Sequence, residues 1–512
     1  MVPAGATLDV GVRRNLAQVL LHMVSSHLSN REFLRAVLGV VGSRAGNVED
    51  LQHAYLGLAQ RLFLLLRLVS AEQVRRVGVV WYWEHVSGVV YDVLDKLSQL
   101  LSVPGFVAVM GELLHHDDQH IRRKSLQFFN DKLDASADTL SADEIQLYLD
   151  MMPDLTAIIT DEEELAVNRQ TALGSIDVLA RHFARKKHAT FTAPGGALAV
   201  VVDVVDTDRA GADLAVRGSA CLCLATLCTT LEARVLPVLP RFLPRLLVEL
   251  EVAYGEADVG DIDASQGLLL QTSMATLVVV CETLPRFVSS GLPRCVCVCV
   301  CGKVPNPRDS IVIILLHAGL NALCERVEVR VLLPVLVAAF QWGCSQGPAS
   351  VLRLASCLTT VATGMDRAAV KVHHKRFFRF MLQALDYRWR QSSTPALQAG
   401  VGPVERGLLD AFIAMVMKVG ESQFKPVFLR LLQWGNSSAE GQAGFGALCR
   451  RITLYRVLEL LLDTFKSLFV PLASYFYQEA VAELGRAAAM AEHFTVAGGV
   501  QESDSESEDD DD

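Results

Sequence analysis

The residues most suggestive of chemistry form the run CVCVCVC, in which Cys295, Cys297, Cys299 and Cys301 alternate with valines. Structural zinc sites use cysteines separated by roughly two to four residues, and this run lacks such spacers. As a strand, it would place all four thiols on one face. Codons TGT and GTG encode the same alternation from a TG repeat, which is common in non-coding DNA. Such a strand would have no partner strand in the chain. We therefore interpret 291–310 as an irregular segment that includes translated intron, with an unusual but genuine loop and a metal site as alternatives.

Two other groups of metal-ligand residue types are better explained by structure than by chemistry. The segment HHDDQH (115–120) places its histidines and aspartates in one short turn, where they cannot converge on an ion. Asp117 or Asp118 can instead cap the helix that follows. The segment CLCLATLC (221–228) lacks CxxC spacing, and its thiols would point in different directions on a helix. We expect helix packing there and no metal.

Motifs of nucleotide-binding and hydrolytic sites, such as GxxxxGK[ST], GxGxxG and HExxH, do not occur. We expect no enzyme activity, no cofactor and no small-molecule substrate. The N-terminus lacks the pattern of a secretory signal, and no apolar run reaches about 18 residues, so we also expect no membrane partner. The scattered cysteines are typical of an intracellular protein.

Two clusters of basic residues could bind phosphates, and aromatic residues interleaved with them could stack on unpaired bases. The alternative, which we favour, is that each cluster is the solvated part of an amphipathic helix whose phenylalanines lie in the core. The first basic cluster consists of Arg181, Arg185, Lys186 and Lys187. The second basic cluster consists of Lys371, Lys375, Arg376, Arg379, Arg388 and Arg390.

The formal net charge of −10 is concentrated at the C-terminus, where the last twelve residues read QESDSESEDDDD. Such a segment cannot bury apolar surface, so we expect an acidic disordered tail over 496–512. Ser503, Ser505 and Ser507 lie among these acids and are candidate sites for an acid-directed kinase. The alternative is a solvated tail without modification.

The elements that must position these residues are helices. Apolar residues recur at intervals of three and four along most of the chain, as in LDVGVRRNLAQVLLHMVSSHL and NRQTALGSIDVLARHF. The pattern gives about 47 residues per helix pair, which is typical of HEAT and armadillo units. We therefore predict an all-α fold, an α-solenoid of HEAT/armadillo-like helix pairs.

The clearest predicted helix pair is 103–133. Pro104 fits a helix start, because the missing N–H needs no partner there. In the second helix, we expect Arg122, Arg123 and Lys124 on the solvent side. The expected core residues of that helix are Ile121, Leu126, Phe129 and Leu133.

Extended segments also resemble a known family in order along about 90–480. They include YDVLDKLSQLL, IRRKSLQFFNDKL, NRQTALGSIDVLARHF, AFIAMVMKVGESQFKPVFLRLLQW and RITLYRVLELLLDTFKSLFVPLASYF. They resemble the C-terminal part of the HEAT repeat-containing protein 1 family. The resemblance implies a HEAT-repeat α-solenoid over 1–290 and a C-terminal family region of continued helical repeats over 311–495. Because the family protein is several times longer, we expect the chain to be a fragment.

The resemblance further implies a non-catalytic scaffold of the nucleolar small-subunit processome, located in the nucleus and nucleolus. It implies support of pre-rRNA processing to 18S rRNA, ribosome biogenesis and rRNA transcription by RNA polymerase I. The implied partners are processome proteins and the U3 small nucleolar ribonucleoprotein, with pre-rRNA contacted through them. The residues leave two alternatives open: another α-solenoid adaptor for proteins, or a solenoid that binds RNA directly.

Overall fold

The computed structural model describes residues 101–207, 213–256, 264–301, 310–391, 400–437 and 445–498, together with short helical stretches between 61 and 94. Within these ranges every regular element is a helix, which confirms the predicted all-α class. The chain divides into two compact units, Met1–Arg326 and Val327–Asp512. Helices are numbered below from the first one whose bounds are given.

The first unit contains twelve numbered helices in its described ranges. They are α1 (Val103–Leu114), α2 (Gln119–Ser136), α3 (Ala142–Asp150), α4 (Met152–Thr160), α5 (Ala166–Phe183), α6 (His188–Thr192), α7 (Ala197–Asp206), α8 (Leu214–Leu231), α9 (Leu239–Glu256), α10 (Ala264–Thr283), α11 (Leu292–Cys301) and α12 (Ser310–Arg326). Short 3₁₀ turns cover Ala137–Thr139, Glu232–Val235 and Val288–Ser290.

These helices pack as successive pairs in two layers. One layer runs through α2, α5, α8, α10 and α12, each in contact with the next. In the other layer, α1 contacts α3. Further along this layer, each helix contacts the next in the series α4, α7, α9 and α11. Pairs such as α4–α5 and α7–α8 join the layers, so each helix buries its apolar stripe against its partner and its neighbours. This is the packing predicted for HEAT-like repeats.

The pair α1–α2 shows why these segments form helices. Pro104 lies in the first turn of α1, where a missing N–H leaves no hydrogen bond unmade. Asp118 caps α2 by accepting a hydrogen bond from the backbone N–H of His120 at 2.9 Å, as predicted. The expected core residues of α2 are all buried: Ile121, Leu126, Phe129 and Leu133.

Arg122 departs from its predicted position on the solvent side. Its guanidinium Nε donates a hydrogen bond to the carboxylate of buried Glu164 at 2.7 Å, and it also donates to the backbone carbonyl of His116. Glu164 lies just before α5, so the ion pair joins α2 to the start of α5. The helical pattern predicts a solvent-facing Arg122 because it cannot show this partner 42 residues away.

The cysteine–valine run differs from the loop expected for it. Leu292–Cys301 form helix α11, with Pro293 in its first turn, and residues 302–309 lie outside the described ranges. Cys295 and Cys299 are buried, as are the valines that follow each of them. Cysteine and valine are both small and apolar, so a helix can bury either at intervals of four. The interpretation as translated intron stays a hypothesis.

Within the described residues, three stretches are long and apolar enough to cross a membrane by length and composition: His188–Asp206, Leu214–Val235 and Val329–Gln346. Leu214–Val235 includes α8, which packs between α5 and α10 and is largely buried. Its apolar character is therefore accounted for by contacts between helices. The absence of a membrane partner stays a prediction.

The second unit repeats the paired arrangement. Its described helices are α13 (Val329–Gln346), α14 (Pro348–Gly364), α15 (Arg367–Ala384), α16 (Tyr387–Gln391), α17 (Val401–Val416), α18 (Glu421–Asn436), α19 (Phe445–Phe465), α20 (Val470–Ala473) and α21 (Tyr477–Gly498). Helices α13, α15 and α18 form one layer, called here the A layer, in which each contacts the next. Helices α14, α17 and α19 form the B layer in the same way. The short helix α16 packs against α17 and α19.

The division between the units lies at Val327, whereas the sequence suggests a boundary near 310. Helix α12 packs against α10 and α11, where Leu316, Leu320 and Leu323 are buried. Residues 311–326 therefore continue the first unit. Of the predicted acidic tail, 496–498 end helix α21 and the remainder lies outside the described residues.

Candidate nucleic-acid interface

The first basic cluster lies at the C-terminal end of α5, where the structure gives several of its polar groups partners. Arg181 forms an ion pair with Asp177 one turn earlier. Lys187 donates a hydrogen bond to Gln146 Oε1 of α3 at 3.3 Å. Arg185 and Lys186 are exposed. The cluster therefore offers a short, partly neutralised surface.

The second basic cluster is divided between α15 and α16. On α15, Lys371, Lys375, Arg376 and Arg379 are all exposed. Among the described residues, none of these four side chains forms an ion pair. Asp366 caps the helix by accepting a hydrogen bond from the N–H of Ala369 at 2.7 Å. The four cations, with the exposed side chain of Val372 between them, are called here the α15 face.

The phenylalanines interleaved with these cations do not belong to the surface. Phe377, Phe378 and Phe380 are each 5% exposed or less. The ring of Phe378 packs edge-on against Phe412 of α17 at 5.3 Å, and Phe380 packs in the same way against Phe340 of α13. Phe378 thus joins the two layers, and Phe380 joins two helices of the A layer. The buried rings are not available to stack on bases. The predicted placement of these phenylalanines in the core is correct.

Arg388, on α16, has a structural role that its neighbours in sequence do not share. Its guanidinium forms two hydrogen bonds with Glu405 of α17, Nε to Oε1 at 3.0 Å and Nη2 to Oε2 at 2.5 Å. Arg456 of α19 pairs with the same carboxylate, and Thr453 donates its hydroxyl to it at 2.5 Å. We therefore leave Arg388 out of the candidate interface. Arg390 is exposed.

Glu405 is the centre of this network and is only 3% exposed. Burial by itself would raise the pKa of its carboxyl group. The hydrogen bonds from Arg388 and Thr453, together with the charges of Arg388 and Arg456, outweigh burial and lower that pKa. Glu405 is therefore a carboxylate at neutral pH and holds α16, α17 and α19 together.

Charge is distributed unequally between the two layers of this unit. The helices of the A layer contain eight arginines and lysines and a single acid, Glu421. The helices of the B layer contain five basic and four acidic residues. On the A layer, exposed Lys425 and Arg430 of α18 add to the cations of α15. Sequence reasoning missed these two, because they lie 54 and 59 residues after Lys371, on a helix whose contact with α15 the sequence does not show.

The described residues contain no group of three or more His, Cys, Asp or Glu side chains placed to hold a metal ion. Burial raises the pKa of the Cys221 thiol to about 11 and that of Cys228 to about 12. Thiols with such pKa values stay protonated at neutral pH, whereas metal binding and nucleophilic attack need the thiolate. These cysteines act as small apolar core residues. Ser503, Ser505 and Ser507 lie outside the described residues.

Residues 369–501 match the family described as the BP28CT (NUC211) domain, a range that begins in α15. A HEAT repeat-containing protein 1 homolog from Dictyostelium discoideum is 29% identical over 68% of this chain and 15% of its own length. HEAT repeat-containing protein 1 from Homo sapiens is 27% identical over 90% of this chain and 21% of its own. U3 small nucleolar RNA-associated protein 10 from Schizosaccharomyces pombe is 25% identical over 77% of this chain and 22% of its own.

These findings confirm the resemblance to the HEAT repeat-containing protein 1 family. The chain spans about a fifth of the length of these relatives or less. Among solved structures, the karyopherin Kap121p bound to the SUMO protease Ulp1p is 11% identical, with a TM-score of 0.48 over 90% of this chain and 47% of its own. Because that score is below 0.5, the helical-repeat assignment rests on the helix contacts described above.

Proposed function

We propose that the chain is part of a non-catalytic scaffold of the nucleolar small-subunit processome. In this proposal it works in the nucleus and nucleolus and supports pre-rRNA processing to 18S rRNA, ribosome biogenesis and rRNA transcription. Its partners are processome proteins and the U3 small nucleolar ribonucleoprotein. The observation that carries the proposal is similarity along 77–90% of the chain to relatives named HEAT repeat-containing protein 1 and U3 small nucleolar RNA-associated protein 10.

The architecture supports a scaffold role for a physical reason. Stacked helix pairs bury their apolar stripes against one another and leave the outward faces of both layers as extended binding surfaces. In the second unit, one such surface belongs to the A layer with its excess of basic residues. An assembly that contains RNA and many proteins needs surfaces of this kind more than it needs a reaction centre.

Affinity purification of the tagged full-length protein from nuclear extract tests the proposal, with identification of the RNA and proteins recovered. We expect U3 small nucleolar RNA and processome proteins to be enriched over a tagged nuclear protein of similar size. Depletion should cause 18S precursors to accumulate. Recovery of other assemblies without U3 RNA, together with normal 18S processing, would instead support the adaptor alternative.

The role in rRNA transcription needs a separate measurement. Pulse labelling of nascent pre-rRNA shortly after depletion separates synthesis from processing. We expect reduced labelling of the primary transcript before its total amount changes. Unchanged labelling with slower processing would restrict the role of the protein to processing.

Mass spectrometry of the purified protein tests two smaller proposals. Modification of the tail would be supported by phosphate on Ser503, Ser505 or Ser507. This phosphate should be lost when the cells are treated with an inhibitor of an acid-directed kinase. A peptide containing CVCVCVC would refute the interpretation of 291–310 as translated intron. A peptide that joins the flanking helices without this run would support it.

A further inference from the structure

We infer that the α15 face binds the phosphate backbone of RNA directly. This inference rests on the proposed function for its biological setting, because it gives the scaffold an RNA contact of its own. The charges, exposure and contacts of the second unit are its physical basis.

The cations of the α15 face are arranged as a row. Lys371, Lys375 and Arg379 follow one another at intervals of four residues, so they lie on one side of the helix over about 12 Å. Arg376 lies beside this row, and its side chain is also exposed. The helix contains a fifth cation, Arg367, and no acidic residue. A row of this kind can contact several consecutive phosphates.

Among the described residues, the row differs from four arginines of the same unit that lie between helices. In the described part of the second unit, Arg388, Arg450, Arg451 and Arg456 each pair with a carboxylate. None of the four cations of the α15 face does. Like charges one turn apart destabilise a helix slightly, so this arrangement is unfavourable without an external anion.

The shape of the surface favours a polyanion over an amphipathic acidic peptide. A peptide helix would need an apolar groove for its anchors. On α15, Val372 is the one large apolar side chain that is exposed, and the phenylalanines are buried. Their burial also excludes base stacking by these rings. The surface should therefore bind RNA through its backbone, with little dependence on base sequence.

The test uses the full 512-residue chain and two probes, a 20-base-pair RNA duplex and a single-stranded RNA of the same length. Fluorescence anisotropy gives Kd at several salt concentrations. For four phosphate contacts, the slope of log K against log salt should be about −3 to −4. The two sequences used for each probe should bind alike. Binding that does not depend on salt would overturn the inference.

Two variants of the α15 face separate charge from folding. The reversal K371E/K375E/R376E/R379E should lower RNA affinity by about 100-fold or more at about 0.1 M salt. The exchange K371R/K375R/R376K/R379K keeps every charge and should retain affinity within about threefold. The neutral variant K371Q/K375Q/R376Q/R379Q should also lower RNA affinity, and it introduces no new negative charge. If the reversal does not fold, this variant shows whether RNA affinity depends on the charges of the α15 face. Circular dichroism and thermal melting verify folding.

The matched control is the first basic cluster, changed as R181E/R185E/K186E/K187E. It carries the same number of reversals at and just after the C-terminal end of α5, and we expect less than a fivefold loss of affinity. An equal loss in both variants would show a general effect of net charge and overturn the assignment to α15. Tighter binding of a poly-glutamate peptide than of RNA would instead assign the face to an acidic protein.

The same variants distinguish this inference from the proposed function. If the reversal leaves RNA affinity unchanged while U3 RNA still co-purifies with the protein, the scaffold role stands and the RNA contact is refuted. If the reversal abolishes RNA binding but U3 RNA never co-purifies with the unaltered protein, the RNA contact stands and the processome role is refuted.

Discussion

The two basic clusters look alike in sequence and differ in structure. The first, at the end of α5, contains Arg181 paired with Asp177, and Lys187 bonded to Gln146. The second places four exposed cations on α15, and the described residues supply no carboxylate for any of them. A cation is free to bind an external phosphate only if no internal acid already holds it. The comparison therefore assigns the RNA contact to α15.

The difference arises from the neighbours of each helix. Helix α5 carries its own acid, Asp177, on the face of Arg181, and α3 brings Gln146 close to Lys187. Helix α15 contains no acidic residue. The other two helices of its layer, α13 and α18, contribute one acid, Glu421. Within the second cluster itself, Arg388 is withdrawn from the surface because α17 presents Glu405 to it.

The largest effect on stability should come from removing the carboxylate of Glu405, which forms the ion pair with Arg388. Glu405→Ala leaves Arg388, Arg456 and Thr453 without their shared acceptor in a buried site. We expect it to lower the free energy of unfolding by about 3–5 kcal/mol. Urea denaturation at neutral pH measures this.

The matched substitution on the exposed face is Lys375→Ala, which should change that free energy by no more than about 0.5 kcal/mol. A similar loss of unfolding free energy in both variants would contradict the distinction between cations that pair with a buried acid and exposed cations without an ion pair.

Acidification should weaken the same network more gradually. The pKa of Glu405 is lower in the folded chain than its ordinary value of 4.5, so its stabilising contribution is complete above about that pH. The contribution is lost as pH falls through the lowered pKa, with a slope of at most about 1.4 kcal/mol per pH unit. Denaturation curves at pH 7, 5, 4 and 3 measure the loss. In the Glu405→Gln variant this part of the pH dependence should vanish, and an unchanged slope would assign it to other carboxylates.

Neutralising one cation in each cluster tests whether an existing ion pair prevents a cation from binding RNA. Lys375→Gln removes one unpaired cation from the α15 face, so the slope of log K against log salt for RNA should become shallower by about one. Arg181→Gln removes a cation already paired with Asp177 and should leave the slope nearly unchanged. Equal changes in slope would mean that pairing does not decide which cation binds.

The smallest effect should come from releasing a paired cation in the first cluster. Asp177→Asn removes the acid paired with Arg181, at a cost of about 0.3–0.5 kcal/mol because Arg181 is exposed and the two residues lie one turn apart on a helix. We expect a modest gain in RNA affinity. Asp410→Asn, an acid of the B layer in the second unit, is the control for the change in net charge. A gain of the same size in both variants would show that only net charge matters.

Much of the fold follows from local patterns in the sequence. Intervals of three and four locate the helices, and the positions of Ile121, Phe129 and Leu133 predict their burial. Asp118 could be named as a cap because its side chain reaches only the next turn. The sequence predicts an irregular segment at the run containing Cys295, whereas Leu292–Cys301 form a helix. Strict alternation is not a helical pattern, but a helix can bury small apolar side chains of either type.

The candidate site was predicted in part. The sequence identifies Lys371, Lys375, Arg376 and Arg379 as a basic group and places the phenylalanines of the same segment in the core. It cannot show that Arg388 is held by Glu405, since that pairing depends on how α16 lies against α17. It also gives no sign that α18, the helix of Lys425, contacts α15.

By itself, the sequence determined which segments are helical and which face of each is apolar, because both depend on residues within one or two turns. The tertiary structure alone decided which cations are neutralised and which stay exposed. An ion pair requires two side chains a few ångströms apart, and residues as distant in sequence as Arg456 and Glu405 meet only after the helices have packed. The sequence therefore supplies the basic residues of the second unit, and the packing of its helices decides which of them form ion pairs.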